Sequence, residues 1–280
     1  VNNSIAAAAA SVAALQQKLD LLANNIANAD TVGYKRKTSV FEDLLTSLQP
    51  QENAFNQPGR RTPIGFTQGW GARLAGMQID LSQGSLQPTG NPTDLAIEGN
   101  GLFEVRTTGD LAGPPAYTRH GDFALVPTGN GDRILVTNSG QPVIGQVNGV
   151  DDFIYVPDGY EMKISEDGTI LAYNADGSDV QDLGKLKVVQ VTKPDLLQEI
   201  GDNLYGVPAN VNPADVVQTA VLSANGGGGL SVRQGFLESS NVNLTDEITD
   251  LVSVQRAYQL SARALSSADQ MMQMAANLRG

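Results

Sequence analysis

The larger apolar residues near the start of the chain fall at Ile5, Val12, Leu15, Leu19, Leu22 and Ile26, with Ala8 between the first two, so the steps alternate between 3 and 4. That spacing places them on one stripe of an α-helix, the seam of a heptad pattern. The surrounding alanines favour helix without adding bulk, and a helix over about residues 3–28 would be roughly 39 Å long. Asn28, Asp30, Thr31 and Gly33, residues suited to turns and C-caps, predict its end. The far end of the chain repeats the pattern: Leu244, Ile248, Leu251, Tyr258, Ala262, Leu265, Met272 and Ala276 step by 3, 4 or 7. Asn243 is the expected N-cap, with Asp246, Glu247 and Asp250 near the positive end of the helix dipole.

Between the two helices the period changes. Segments 102–105, 123–126, 134–136, 154–156, 162–164, 169–172 and 186–192 are short and rich in β-branched or aromatic residues, and Gly, Asn, Asp and Pro separate them. Gly99-Asn100-Gly101, Gly129-Asn130-Gly131, Asp167-Gly168 and Asp176-Gly177 supply residues that tolerate positive φ at the turns. The fold class is therefore α+β: long N- and C-terminal helices forming an antiparallel coiled coil, with an inserted β-rich domain. The expected division is 1–30 as the N-terminal helix of an inner domain, 31–89 as a connector, 90–225 as the β-rich outer domain, 226–243 as a second connector and 244–280 as the C-terminal helix. Within the first connector, 49–76 is long for a plain loop and carries Arg60, Arg61, Phe66, Trp70 and Arg73. It reads equally as a contact surface for a neighbour or as a flexible linker.

Charge and composition narrow the functional classes. The net charge is −12, and residues 1–80 are nearly neutral, so the negative charge lies in the remainder. Such a chain lacks the basic cluster that phosphate binding requires, and no nucleic-acid partner is expected. With no cysteine there is no disulfide frame, thiol nucleophile or Cys-based metal site. No apolar run approaches the roughly 20 residues of a membrane span, and Ala6–Ala10 runs on into the first helix without a preceding basic region, so neither a spanning helix nor a cleaved signal is expected.

No catalytic constellation stands out in the chain. His120 is the only histidine and lies between Arg119 and Gly121, in a turn where a solvated surface position is expected. The Gly-rich pieces lack the Lys-Ser/Thr ending of a phosphate loop. Asn174, Asp176 and Gly177 resemble the middle of a calcium loop, but Ala172 and Leu183 would then occupy ligand positions. No catalytic, cofactor-binding or metal-binding residue is assigned, and no cofactor is expected. The chain reads as a non-enzyme, with a wall-lytic carboxylate enzyme and a helical-ended adhesin as the rivals.

Two helices with narrow seams must cover their stripes with each other or with other chains. From the pattern alone the two are equally open. Ala23-Asn24-Asn25-Ile26-Ala27-Asn28-Ala29-Asp30-Thr31 with Gly33-Tyr34-Lys35 resembles the N-terminal signature of the flagellar rod and hook proteins. Phe41-Glu42-Asp43-Leu44-Leu45, Gln83-Gly84-Ser85-Leu86-Gln87-Pro88, Gly99-Asn100-Gly101-Leu102-Phe103, Tyr117-Thr118-Arg119, Ile200-Gly201-Asp202-Asn203-Leu204-Tyr205, Glu238-Ser239-Ser240-Asn241 and Gln255-Arg256-Ala257-Tyr258 continue the likeness in order. Asn24, Asn25, Ala27, Asn28, Gly33, Ser240, Asn241 and Arg256 are its motif positions here, and the distal-rod branch is the most similar. The resemblance implies a self-assembling subunit of a helical tube that transmits torque and conducts exported subunits. It implies as partners further copies, other rod and hook proteins and the type III export apparatus. The implied location is the flagellar basal body, reached without a cleaved peptide; a paralogue at another axial position is the alternative. The assembly seam is then expected at Ile5, Val12, Leu15, Leu19, Leu22, Ile26, Leu244, Ile248, Leu251, Tyr258, Leu265 and Met272.

Overall fold

A computed structural model describes residues 2–43, 47–50, 65–68, 72–129, 131–147, 149–174, 176–177, 179–223 and 229–277. The chain is α+β, with one long helix at each end and many short strands between. It divides into two compact units.

The first unit comprises residues 1–27, 37–78 and 243–280. Helix α1 (Asn2–Ala27) and helix α2 (Leu244–Asn277) pack against each other in it. The α2 start is the expected one: the Asn243 side chain accepts a hydrogen bond from Thr245 N at 3.1 Å, and Asp246 and Glu247 lie in the first turn. The strand Lys37–Asp43 pairs with Ala72–Ile79, and Ser47–Pro50 pairs antiparallel with Gly65–Gln68. Parts of the expected connector 31–89 are thus strands. Of its expected contact residues, Arg73 is exposed and lies 3.5 Å from Glu42, while Arg60, Arg61 and Trp70 fall outside the described residues.

The second unit comprises residues 28–36 and 79–242. Its largest sheet has the strand order 198–201, 204–206, 115–118, 101–106, 188–191, 217–219, and a five-stranded sheet runs 150–153, 144–147, 180–186, 169–174, 160–164. Strands 155–157, 132–137 and 123–127 form a third sheet. Every strand anticipated from the apolar runs is present, and their inward side chains build the core. Phe103, opposite Thr118 and Val188, meets the Phe123 ring edge-on with centroids 5.1 Å apart, surrounded by Leu95, Val105, Leu135 and Ile154. A second cluster on Tyr117, Val189, Tyr205 and Val216 covers Leu102.

The expected outer-domain limits, 90 and 225, fall short of this unit at both ends. Leu86–Pro88 pairs with Phe236–Glu238, and Leu95–Glu98 pairs with Ser231–Gln234, so segments read as connectors are sewn into the β unit. A strand such as Leu86-Gln87-Pro88 has almost no apolar alternation of its own. Its pairing partner is about 150 residues away in the chain and leaves no local signal.

Candidate functional site: a helical seam and a buried ion cluster

In the first unit, α1 turns a broader face inward than one heptad stripe. Ala14, Leu21, Leu22 and Asn25 are the deepest residues, and Ile5, Val12, Leu15, Leu19 and Ile26 are half-buried beside them. On α2 the inner line runs through Glu247, Leu251, Val254, Tyr258, Leu265 and Ala268 in steps of 3, 4 and 7, with Glu247, Val254 and Ala268 buried and the other three half-buried. Leu251, Tyr258 and Leu265 were expected there. Leu244, Ile248 and Met272 were expected on the same stripe, yet they are 46%, 46% and 37% exposed. A step of 4 from Leu244 to Ile248 followed by 3 to Leu251 suits two neighbouring stripes, and Glu247, a carboxylate, was passed over for the inner one.

Asn25 explains why a carboxylate can lie buried there. Its side-chain amide donates to Glu247 Oε2 at 3.1 Å and to Lys37 O at 2.9 Å, and its carbonyl accepts from Lys37 N at 3.0 Å. One asparagine therefore ties the last turn of α1 to the first turn of α2 and to the strand that follows. A polar residue inside an apolar seam lowers the number of registers the two helices can adopt. Around it the motif positions are more exposed: Asn24 accepts a 3.4 Å bond from Lys37 Nζ, Ala27 ends α1, and Arg256 points from the outward side of α2.

In the second unit the motif segments converge on three buried ions. Lys35 Nζ lies 2.8 Å from Glu238 Oε1 and Arg119 Nε lies 2.5 Å from Glu238 Oε2, with all three side chains 1% exposed. Gly84 N donates to Glu238 Oε1 at 2.7 Å, and Lys35 also donates to Ser82 O at 2.7 Å. Arg119 reaches the backbone carbonyls of Gly101 and Ile97 with its other nitrogens. Burial, followed by the Arg119 guanidinium, pushes the Lys35 ammonium below its ordinary value, and Glu238 opposes both. Such a cluster is stable because its donors and acceptors are matched. Taking away one partner leaves charge in a dry site.

Asn241 fastens the same region. Its carbonyl accepts from Arg36 N at 2.7 Å, and its amide donates to Asp80 O and Ser82 O at 2.9 and 3.0 Å. Beside it Ser240 Oγ accepts from Val242 N, and Thr31 Oγ1 donates to Asn28 Oδ1. Gly33 has φ +67°, and a Cβ there would come within 2.7 Å of the His120 backbone. That close packing corrects the expectation for His120. It is half-buried rather than solvated, and burial lowers its pKa against the pull of Asp122 and Asp94. Sequence reading had no means of seeing this, since the partner is backbone 87 positions away. Among the described residues no group of three or more His, Cys, Asp or Glu side chains is placed to hold a metal ion, and no helix is long and apolar enough to cross a membrane.

Comparison with known proteins decides what this arrangement belongs to. Residues 6–35 match the family model "Flagella basal body rod protein", 96–172 match "Flagellar hook protein FlgE/F/G D1 domain" and 233–278 match "Flagellar basal body rod FlgEFG protein C-terminal". The chain is 35% identical over 269 residues to the flagellar basal-body rod protein FlgG of Bacillus subtilis (strain 168), with 94% of each covered. The chain belongs to the flagellar basal-body rod protein family. It is also 34% identical to the FlgG of Agrobacterium fabrum over 271 residues, 96% of each, and 32% identical to the flagellar hook-basal body complex protein FlhP of Bacillus subtilis over 276 residues, 95% of each. As a member of the rod family the chain is a structural subunit of the flagellar rod, consistent with a non-enzymatic role. Each matched segment of the rod subunit contributes one member of the ion cluster: Lys35 from the first, Arg119 from the second and Glu238 from the third.

Proposed function

We propose that this rod subunit belongs to the distal rod of the flagellar basal body, where copies of the chain stack through heterologous contacts into a helical tube. The tube transmits torque and conducts exported subunits, and the chain reaches it through the flagellar type III apparatus. In this reading α1 and α2 form an antiparallel coiled coil, and its partners are further copies and other rod and hook proteins. The supporting observation is the outward side of α2. Leu260, Met271 and Met274 are 66%, 53% and 58% exposed, and Leu244, Ile248 and Val252 stand 46%, 46% and 40% exposed on the same helix. So many large apolar side chains left open along one helix call for a covering partner.

Assembly and folding separate cleanly at Leu260. Leu260→Asp leaves the stability of the monomer within about 0.5 kcal/mol, because the side chain is exposed, and abolishes rod assembly and swimming. Normal motility of the Leu260→Asp strain would refute the use of this face. The likeness to FlhP supports a second reading, a paralogue at another axial position, which differs in where along the axis the subunit is found.

A further inference from the structure

Three segments of the second unit, 33–36, 80–85 and 239–242, belong to no strand. They are held by a few groups. Glu238 takes Lys35 Nζ and Gly84 N on its carboxylate and Gly33 N on its backbone carbonyl, the last at 2.7 Å. Asn241 takes Arg36 N and gives to Asp80 O and Ser82 O. Asp80 N donates to Arg36 O and Ser239 N donates to Ser85 O, closing the set. Among the described residues Arg119 links the carboxylate to the strands behind, through Ile97 O and Gly101 O, and Gln83 separately accepts from Gly99 N at 3.0 Å.

We propose that Glu238, seconded by Asn241, is a latch that makes the ordering of these three segments one cooperative event. The segment that follows α1 and the segment that precedes α2 are then fixed together or released together. The electrostatics favour this. With Lys35 withdrawn, Glu238 retains Arg119, but Gly33 and Gly84 lose the register that Lys35 and Ser82 impose. With Glu238 withdrawn, two cations remain in a site 1% exposed, and each segment loses its common anchor. No strand ladder within these segments holds one of them when the others leave.

Hydrogen exchange read by mass spectrometry on the full chain tests this with Glu238→Gln and, independently, Lys35→Met. Both variants should speed exchange across 33–36, 80–85 and 239–242 by a common factor, about a hundredfold or more for Glu238→Gln, while strands 101–106 and 169–174 keep their protection. Asn241→Ala should give the same three-segment pattern with a smaller factor. Acceleration confined to the segment carrying the substitution, or different factors for the three, would overturn the latch. So would loss of protection in 101–106 and 169–174 in step with them, or failure of both charge variants to fold, since the cluster would then be part of the global core.

Discussion

Asn25→Ala removes at least three hydrogen bonds at a position that is fully buried. Two join it to the Lys37 backbone and one to the Glu247 carboxylate. At about 1 kcal/mol for each neutral bond and about 2 kcal/mol for the bond to a charged acceptor, the loss comes to roughly 4 kcal/mol. A small void adds little, since only an amide is removed. The cost falls on the pairing of α1 with α2, which supply most of the helix in the chain. Urea melts followed at 222 nm therefore report it, and Asn24→Ala is the control. Asn24 is exposed and its bond from Lys37 Nζ is long, at 3.4 Å, so its loss should cost under about 0.5 kcal/mol. A shift below about 1 kcal/mol for Asn25→Ala, or equal shifts for the two variants, would refute the claim that Asn25 sets the helical register.

Further expectations concern other parts of the molecule. Leu22→Asp places a carboxylate at a site 3% exposed and should unseat α1 at a cost of about 3 kcal/mol or more, seen as loss of helical signal while the β unit still melts cooperatively. Gly33→Ala combines a φ of +67° with a 2.7 Å approach to the His120 backbone and should cost at least about 2 kcal/mol in denaturant melts. His120 has a folded pKa below its ordinary value of 6.5, so the unfolded chain binds the proton more tightly and stability falls as pH drops below about 6.5. His120→Gln should remove that part of the loss between pH 7.5 and 5.5, with assembly unchanged; an identical pH profile in the variant would count against it.

The end helices were legible because their apolar spacing is local and repeats over many turns, and the Asn243 cap could be read from one residue. Buried strands such as 101–106 were legible for the same reason. What escaped was long-range. Strands 86–88 and 236–238 are short and half-polar, and each has meaning only beside the other. Glu247 was overlooked as a seam residue because a carboxylate has no place in an apolar count, and its partner Asn25 lies 222 residues away. The motif residues around Lys35, Arg119 and Glu238 could be named from their resemblance to a family, but not their convergence. Separations of 119 and 203 positions leave no periodicity to follow.

The central claim is that this chain is built into the rod. It is tested most directly by electron cryomicroscopy of hook–basal bodies from a strain carrying a small tag at the exposed Asp176-Gly177 turn, with motility checked in parallel. The account predicts motile cells and tag density repeating along the distal rod. Intact, motile basal bodies containing no tagged subunit would contradict it.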